Sequence, residues 1–276
     1  MSPYFASVPP TGSWKHFDLV VEKGICTLTF GRPERLNALT FDIYADLRDF
    51  FLELPKQAEE IRVVVLRGEG KAFCSGGDVH DIIGKLVQMN GKEQLAFTRM
   101  TCKVIEAMRT LPLPIIAEIG GIAAGAGAVL AIASDFRILS TQGRFAFLFT
   151  KVGLSGGDMG AAYLLPRLIG LSRATELLML GDKINAETAF RIGLAHKVVA
   201  PEELRQATKD LAKRLAEGPT EAYAATKSSL QREQDMDFSS SLEMDSFAQA
   251  HLMRGEDFKE FHRAFSNKED PKWTGK

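Results

Sequence analysis

The spacing of apolar positions changes several times along the chain, and each change marks an element. Phe17 to Phe30, FDLVVEKGICTLTF, holds two short alternating runs around Lys23-Gly24, which predicts a β-hairpin. In GRPERLNALT, Arg32-Pro33 ends the second strand. Asn37 or Thr40 is placed to cap the helix FDIYADLRDFFLEL, whose apolar positions recur at helical spacing. IRVVVLRG (61–68) is a β-branched run closed by glycine, as expected of a central buried strand. Residues 93–111 read as a second amphipathic helix. PIIAEIGG (114–121) predicts a buried strand ending in a turn, and the almost wholly apolar GIAAGAGAVLAIA predicts a buried helix from about Ala126. FRILS is a strand, and RFAFLF (144–149) is a further apolar run. Ser172 is placed to cap RATELLML, and Asn185 or Thr188 to open AETAFRIGL before the strand HKVV. Strands and helices alternate to about residue 200, which predicts an α/β fold with mostly parallel pairing. The boundaries fall as a loose Pro-containing arm over 1–12, a core over 13–200 and an amphipathic helical region over 201–276.

Composition narrows the function classes. With 45 % hydrophobic residues the chain can bury a sizeable core, and a net charge of −1 leaves no electrostatic footprint for nucleic acid. No apolar run reaches membrane-spanning length. Three cysteines (Cys26, Cys74, Cys102) lack paired spacing and no signal peptide opens the chain, so a reduced cytoplasmic setting is expected. Five scattered histidines lack metal-ligand spacing, so no metal is expected. A GxSxG elbow, a Walker A loop and a full dinucleotide fingerprint are all missing.

Three glycine-rich stretches carry the candidate chemistry. Cys74-Ser75-Gly76-Gly77-Asp78 lies between a strand and a helix, with Asp78 placed to cap that helix. It reads equally as an ordinary turn or as an N–H donor aimed into a cleft. The small residues around Ala123–Gly127 serve either tight packing or ligand approach to free N–H groups at a helix start. Two such turns converging on one oxygen would make an oxyanion hole, on the order of 3 kcal/mol per donor. In KVGLSGGDMGAAYLLPRLIG, Asp158 is a lone carboxylate in a loop otherwise small and apolar. It reads as an N-cap, as a desolvated catalytic carboxylate, or as a solvated side chain.

Taken together, RPERLNALT, KAFCSGGDV, PIIAEIGGIAAGAGAVLAIASDFRI, VGLSGGDMGAAYLLPRLIG, ATELLMLGDKINAETAFRIGLAHKVV and AFSNKEDPKW occur in the order that resembles the crotonase (enoyl-CoA hydratase/isomerase) superfamily, over nearly the whole chain. The resemblance implies a crotonase-like spiral of ββα units with a helical C-terminal region that mediates trimers or dimers of trimers. It implies an acyl-CoA thioester as substrate, with no cofactor beyond the CoA carried by that substrate. The thioester oxygen would be held by the backbone N–H groups of Gly77 and Ala126. Arg35, Ala38, Cys74, Ser75, Gly76 and Asp78 would line the CoA path, and Phe265 and Lys268 match tail residues that meet CoA, often from a neighbouring subunit.

The departures from the family pattern bear on the reaction. The two glutamate positions of family hydratases hold Val129 and Phe149, neither of which moves a proton. Together with Tyr163 they would line the pocket. The loop is also one residue longer than the common form. Aligned backward from LLPR, Asp158 falls on the aspartate that some family isomerases use; aligned forward from Gly153, Gly157 falls there. With Asp158 as single proton carrier, a double-bond shift is favoured over hydration. His80, Asp81 and Ser155 are minor candidates to assist. An acyl-CoA hydrolase or C–C bond lyase of the same superfamily, and a catalytically weak CoA-ester-binding protein, are the alternatives.

Overall fold

The computed structural model describes residues 15–57 and 60–275; the N-terminal arm expected over 1–12 lies outside them. β1 (Phe17–Glu22) and β2 (Ile25–Phe30) form the expected antiparallel hairpin, turned by Lys23 and Gly24 at φ 50° and 78°. α1 (Phe41–Gln57) follows, with the Thr40 hydroxyl accepting from the Ile43 N–H at 3.3 Å. A unit then recurs: one strand, a second short strand, a helix. The first is β3 (Val63–Gly68), β4 (Ala72–Cys74), a π-helical turn (Val79–Ile83) running into α2 (Gly84–Leu86), and α3 (Gly91–Thr110). The second is β5 (Ile115–Ile119), β6 (Ile122–Ala124) and α4 (Ala126–Ala133). The third is β7 (Phe136–Ser140), β8 (Arg144–Ala146), α5 (Ala161–Ile169) and α6 (Leu171–Leu180). β9 (Ile184–Asn185), α7 (Ala186–Arg191) and β10 (Lys197–Val199) complete the strands. α8 (Leu204–Ala216), α9 (Thr220–Arg232), α10 (Phe238–Leu252) and α11 (Glu256–Asn267) form the C-terminal region.

The first strand of each unit joins a large sheet ordered β1-β2-β3-β5-β7-β10, and the second joins a small sheet ordered β4-β6-β8-β9. Pairing is parallel except at β1–β2 and β8–β9. β3 shows why its run is apolar without a break. Val64 and Leu66 belong to the main core, which also contains residues of α1, α3 and α4, while Val63 and Val65 face a second core closed by Leu204, Ala212 and Leu215 of α8. A strand covered on both faces has no polar side to show.

Two cap assignments need correction. α6 begins at Leu171 behind Gly170, whose φ of 78° turns the chain, so Ser172 sits inside the helix and does not cap it. Asn37 caps nothing. It is 1 % exposed, its Oδ1 accepts from Arg32 N–H at 3.0 Å, and its Nδ2 donates to the carbonyls of Glu69 and Ala72 at 2.9 and 2.8 Å. The side chain thereby ties the segment after β2 to the β3–β4 loop. The apolar pattern does not predict β6, the three residues that follow Gly120-Gly121. Short strands lack a period of their own, and pairing with β4 and β8 creates this one.

Asn37→Ala strands two carbonyls and places alanine at φ 56°. It is expected to lower unfolding free energy by about 2–3 kcal/mol, measured by urea unfolding.

Candidate active site

The site is built where β4 and β6 end. These strands pair in parallel, Ala72 with Ile122 and Cys74 with Ala123, so the turns that follow them leave the sheet side by side. Backbone meets backbone there. A Cβ on Gly76 would stand 2.9 Å from the Ala124 carbonyl and 3.3 Å from the Ala126 nitrogen; one on Gly127 would stand 2.1 Å from the Cys74 carbonyl. Gly76 has φ 94° and Gly125 φ 50°, so both turns use backbone that favours glycine.

The neighbouring amides are left over. Leu39 N–H donates to Gly76 O at 2.8 Å and Asp78 N–H to Leu39 O at 2.9 Å, a bridge that passes around Gly77 without using its N–H. Ala126 is the first residue of α4, so its N–H has no acceptor within the helix. Free donors at a helix start, in buried surroundings, favour an oxygen carrying negative charge.

Asp78 is used structurally. Its Oδ1 accepts from His80 and Asp81 N–H at 3.0 and 3.1 Å, and Arg32 Nη2 donates to its Oδ2 at 3.2 Å. Burial works to raise its pKa, but these two N–H groups and the Arg32 charge hold the carboxyl below the usual value. Arg32 also donates to the Ala38 carbonyl at 2.7 Å, fixing the buried Ala38 beside the turn. The exposed Arg35 follows Pro33 in a short 3-10 turn, and the Ser75 hydroxyl lies 3.4 Å from its carbonyl. Of these residues Arg35, Ser75 and Gly77 keep surface, whereas Ala38, Cys74, Gly76 and Asp78 lie buried beside them. Cys74 is wholly buried, and burial pushes its thiol to about 12. His80 is exposed, and Asp81 reaches Arg32 at 3.6 Å.

Val129 is fully buried in α4, and Phe149 is 7 % exposed in a 3-10 turn over Leu148–Val152. Asp158 opens a further 3-10 turn, half-buried, and its Oδ1 accepts from Met159 N–H at 2.9 Å. Burial raises its carboxyl pKa, partly countered by that N–H. The turn it opens packs against α3 and against α4, the helix that begins at Ala126. Ser155, exposed, accepts from Gly157 N–H at 3.2 Å and shapes this loop.

Other residues go elsewhere. The Tyr163 hydroxyl donates to Asp235, and the Arg167 guanidinium lies 3.6 Å over its ring. Tyr163 lines a cavity of about 650 Å³ shared with Arg109, Asp135 and Lys227. In that cavity Asp135 already holds Lys227 at 2.7 Å and Arg109 at 3.6 Å. Phe265 is 73 % exposed on α11, and Lys268 ends that helix in left-handed backbone. Among the described residues, no group of three His, Cys, Asp or Glu could hold a metal, and no helix is long and apolar enough to cross a membrane.

The paired sheets, the ββα recurrence and the two apposed glycine turns define a crotonase-type α/β protein. The chain belongs to the enoyl-CoA hydratase/isomerase family, whose model matches residues 21–276. It is 34 % identical over 259 residues to the 1,2-epoxyphenylacetyl-CoA isomerase of Escherichia coli (strain K12), covering 93 % of this chain and 97 % of that protein. It is 32 % identical over 256 residues to the trans-2-decenoyl-[acyl-carrier-protein] isomerase of Streptococcus mutans serotype c, with coverage of 93 % and 97 %. A crystal structure assigned as an enoyl-CoA hydratase from Streptomyces coelicolor A3(2) superposes with a TM-score of 0.94 at 52 % identity, over 100 % of both chains. The protein is thus an enzyme of hydratase/isomerase type, and an acyl-CoA substrate follows from the family.

The raised pKa of Asp158 has a signed consequence for stability. The folded chain holds this proton more tightly than the unfolded chain, so the group favours folding below the ordinary carboxylate value of 3.8. That contribution is lost as pH rises through the raised value. Asp158→Asn, with no proton to lose, is expected to match the wild-type unfolding midpoint in acid. At higher pH it should melt later, with a lead that becomes constant once Asp158 is ionised. Thermal unfolding of both proteins across pH checks this.

Proposed function

We propose that the enzyme shifts a double bond in an unsaturated acyl-CoA through a thioester enolate, with Asp158 carrying the proton. The observation that carries this is the half-buried carboxylate of Asp158, in a turn packed on the helix that Ala126 begins, with valine and phenylalanine at the hydratase glutamate positions. The Gly77 and Ala126 N–H groups hold the thioester oxygen. Asp158 breaks a C–H bond at Cα, and the electron pair passes through the carbonyl and the adjoining alkene. The same proton then returns to Cγ, which moves the double bond from Δ3 to Δ2. One carboxyl suffices, because the group that removes the proton also delivers it. Water addition needs a base for water and an acid for Cα, and the Val129 and Phe149 side chains supply neither.

Apolar walls suit a hydrophobic acyl group and hold the carboxyl pKa above its ordinary value. The name of one relative, an isomerase of a 2-enoyl thioester, supports the shift; the epoxide isomerase and the hydratase assignment of the similar crystal structure support the coarser hydratase/isomerase reading. The CoA moiety runs over Arg35, Ser75 and Gly77, with Ala38, Cys74, Gly76 and Asp78 buried beneath as support, and the reaction takes no cofactor beyond it.

The enzyme works as a trimer or dimer of trimers in the cytoplasm. Helix α10 buries none of its residues, and Phe238, Phe247 and Phe265 are 78, 71 and 73 % exposed. So much aromatic surface fits cover by another subunit. It also fits delivery of Phe265 and Lys268 to a neighbour's CoA.

Purified enzyme is expected to convert trans-3-hexenoyl-CoA to the 2-enoyl ester faster than it hydrates trans-2-hexenoyl-CoA. Asp158→Asn should lower kcat for the shift by about 10²–10⁴-fold. Full activity in that variant removes Asp158 from the mechanism, and hydration as the main reaction reverses the preference.

A further inference from the structure

Tyr44 carries a polar group that has no use in the packing. The residue sits on α1 and is only 3 % exposed. Its ring is held edge-to-face against Phe97, with centroids 5.8 Å apart at 84°, and Phe97 in turn meets Phe41 at 5.0 Å and 75°. The phenol therefore has little freedom to swing away. Yet its hydroxyl takes part in no hydrogen bond among the described residues. The sealed and unpartnered side-chain atoms are those of Thr150, Thr208, Gln231 and Glu233; the Tyr44 oxygen is not one of them and so reaches open space.

The hydroxyl itself lies beside the candidate site. The Tyr44 oxygen is 3.7 Å from where a Cβ on Gly77 would stand, beside the turn whose N–H is unused. Buried hydroxyls are nearly always paired, and an exception calls for an absent partner. Burial, then the proximity of Cys74 and of Asp158, holds the phenol well above its ordinary pKa. It is therefore a proton donor and not a phenolate. What is missing is an acceptor, and the acceptor due beside Gly77 is an oxygen gaining negative charge.

We propose that the Tyr44 hydroxyl is a third hydrogen-bond donor to the acyl thioester oxygen, beside the main-chain amides of Gly77 and Ala126. This rests on the enolate chemistry proposed above and adds to it a side-chain donor. An O–H at this point strengthens its bond as the oxygen gains charge, so it acts mainly in the transition state. It also gives α1 a direct part in the chemistry, through a residue anchored by the Phe97–Phe41 contacts.

The test uses Tyr44→Phe, which keeps the ring and removes only the O–H. With trans-3-hexenoyl-CoA, kcat is expected to fall about 10- to 100-fold while KM stays within about threefold. Acetoacetyl-CoA serves as an enolate probe: its ultraviolet enolate band, seen on binding to wild type, should weaken in Tyr44→Phe. Binding of saturated hexanoyl-CoA by calorimetry and the unfolding midpoint should be unchanged. An unaltered kcat and enolate band overturn the proposal, as does a loss matched by equal losses in midpoint and hexanoyl-CoA binding, which mark a structural role. If wild type is active and Tyr44→Phe equals it, only this inference falls. If wild type neither turns over an enoyl ester nor binds hexanoyl-CoA, the enolate reading falls and takes this inference with it. If wild type binds without turnover, the enolate band alone decides.

Discussion

Everything at the site depends on backbone packed against backbone where β4 and β6 end. The Cys74 carbonyl stands so close to Gly127 that a methyl group there would come within 2.1 Å of it. Gly76 meets the Ala124 carbonyl almost as tightly, at 2.9 Å. No side chain fits between the turns, so two residue positions are given up to glycine and the amides beside them come together. The cost is conformational entropy in the unfolded chain. On the proposed reading the return is pre-organisation: donors fixed by the sheet need not be ordered when substrate arrives. The short strands matter for the same reason, since the Cys74–Ala123 pairing sets the register of both turns. A slip of one residue would turn each amide away.

Around these donors, charge is sparse. Val129 and Phe149 are apolar, and Asp78 is neutralised by Arg32 and by two N–H groups. That leaves Asp158 as the half-buried carboxylate with a raised pKa over this core. The same burial that raises its pKa makes it a better base once ionised and an effective acid once protonated. A site with two carboxylates can divide those roles; a site with one must let the group alternate. The composition of the pocket and the choice of reaction are thus one physical argument.

Much of this was legible in the sequence because it lay in local chemistry. The hairpin at Lys23-Gly24, the doubly buried β3 run, the Asp78 cap and the Ala126 helix start are each fixed by a few adjacent residues. The two glycine turns and their convergence were legible, but the strand that brings them together was not: β6 is three residues long, with no period to read. Ser172 failed as a cap because Gly170 turned the chain earlier than the serine could. Asn37 failed because its partners, the Glu69 and Ala72 carbonyls, are more than thirty residues away in sequence. Tyr44 gave no signal at all. In helical spacing it is an ordinary core position, and only the missing partner of its hydroxyl in three dimensions sets it apart.

The loop that precedes α5 can be followed bond by bond from Ser155 to Gly160. Gly157 N–H is taken by the Ser155 hydroxyl and Asp158 N–H lies 3.3 Å from the Ser155 carbonyl, so the loop tightens before the carboxylate. Met159 then takes φ 51° and Gly160 φ 85°, two left-handed residues in succession. For methionine that conformation is uncommon, and surrounding packing must enforce it. Met159 is 2 % exposed and belongs to the core, so burial of its side chain supplies that force. Anchoring Met159 inward carries the adjoining Asp158 toward α1 and α3, where Tyr44 and Cys102 register its charge. The loop is thereby closed as a tight turn, and its effect is to hold a half-buried carboxylate against α3 and α4.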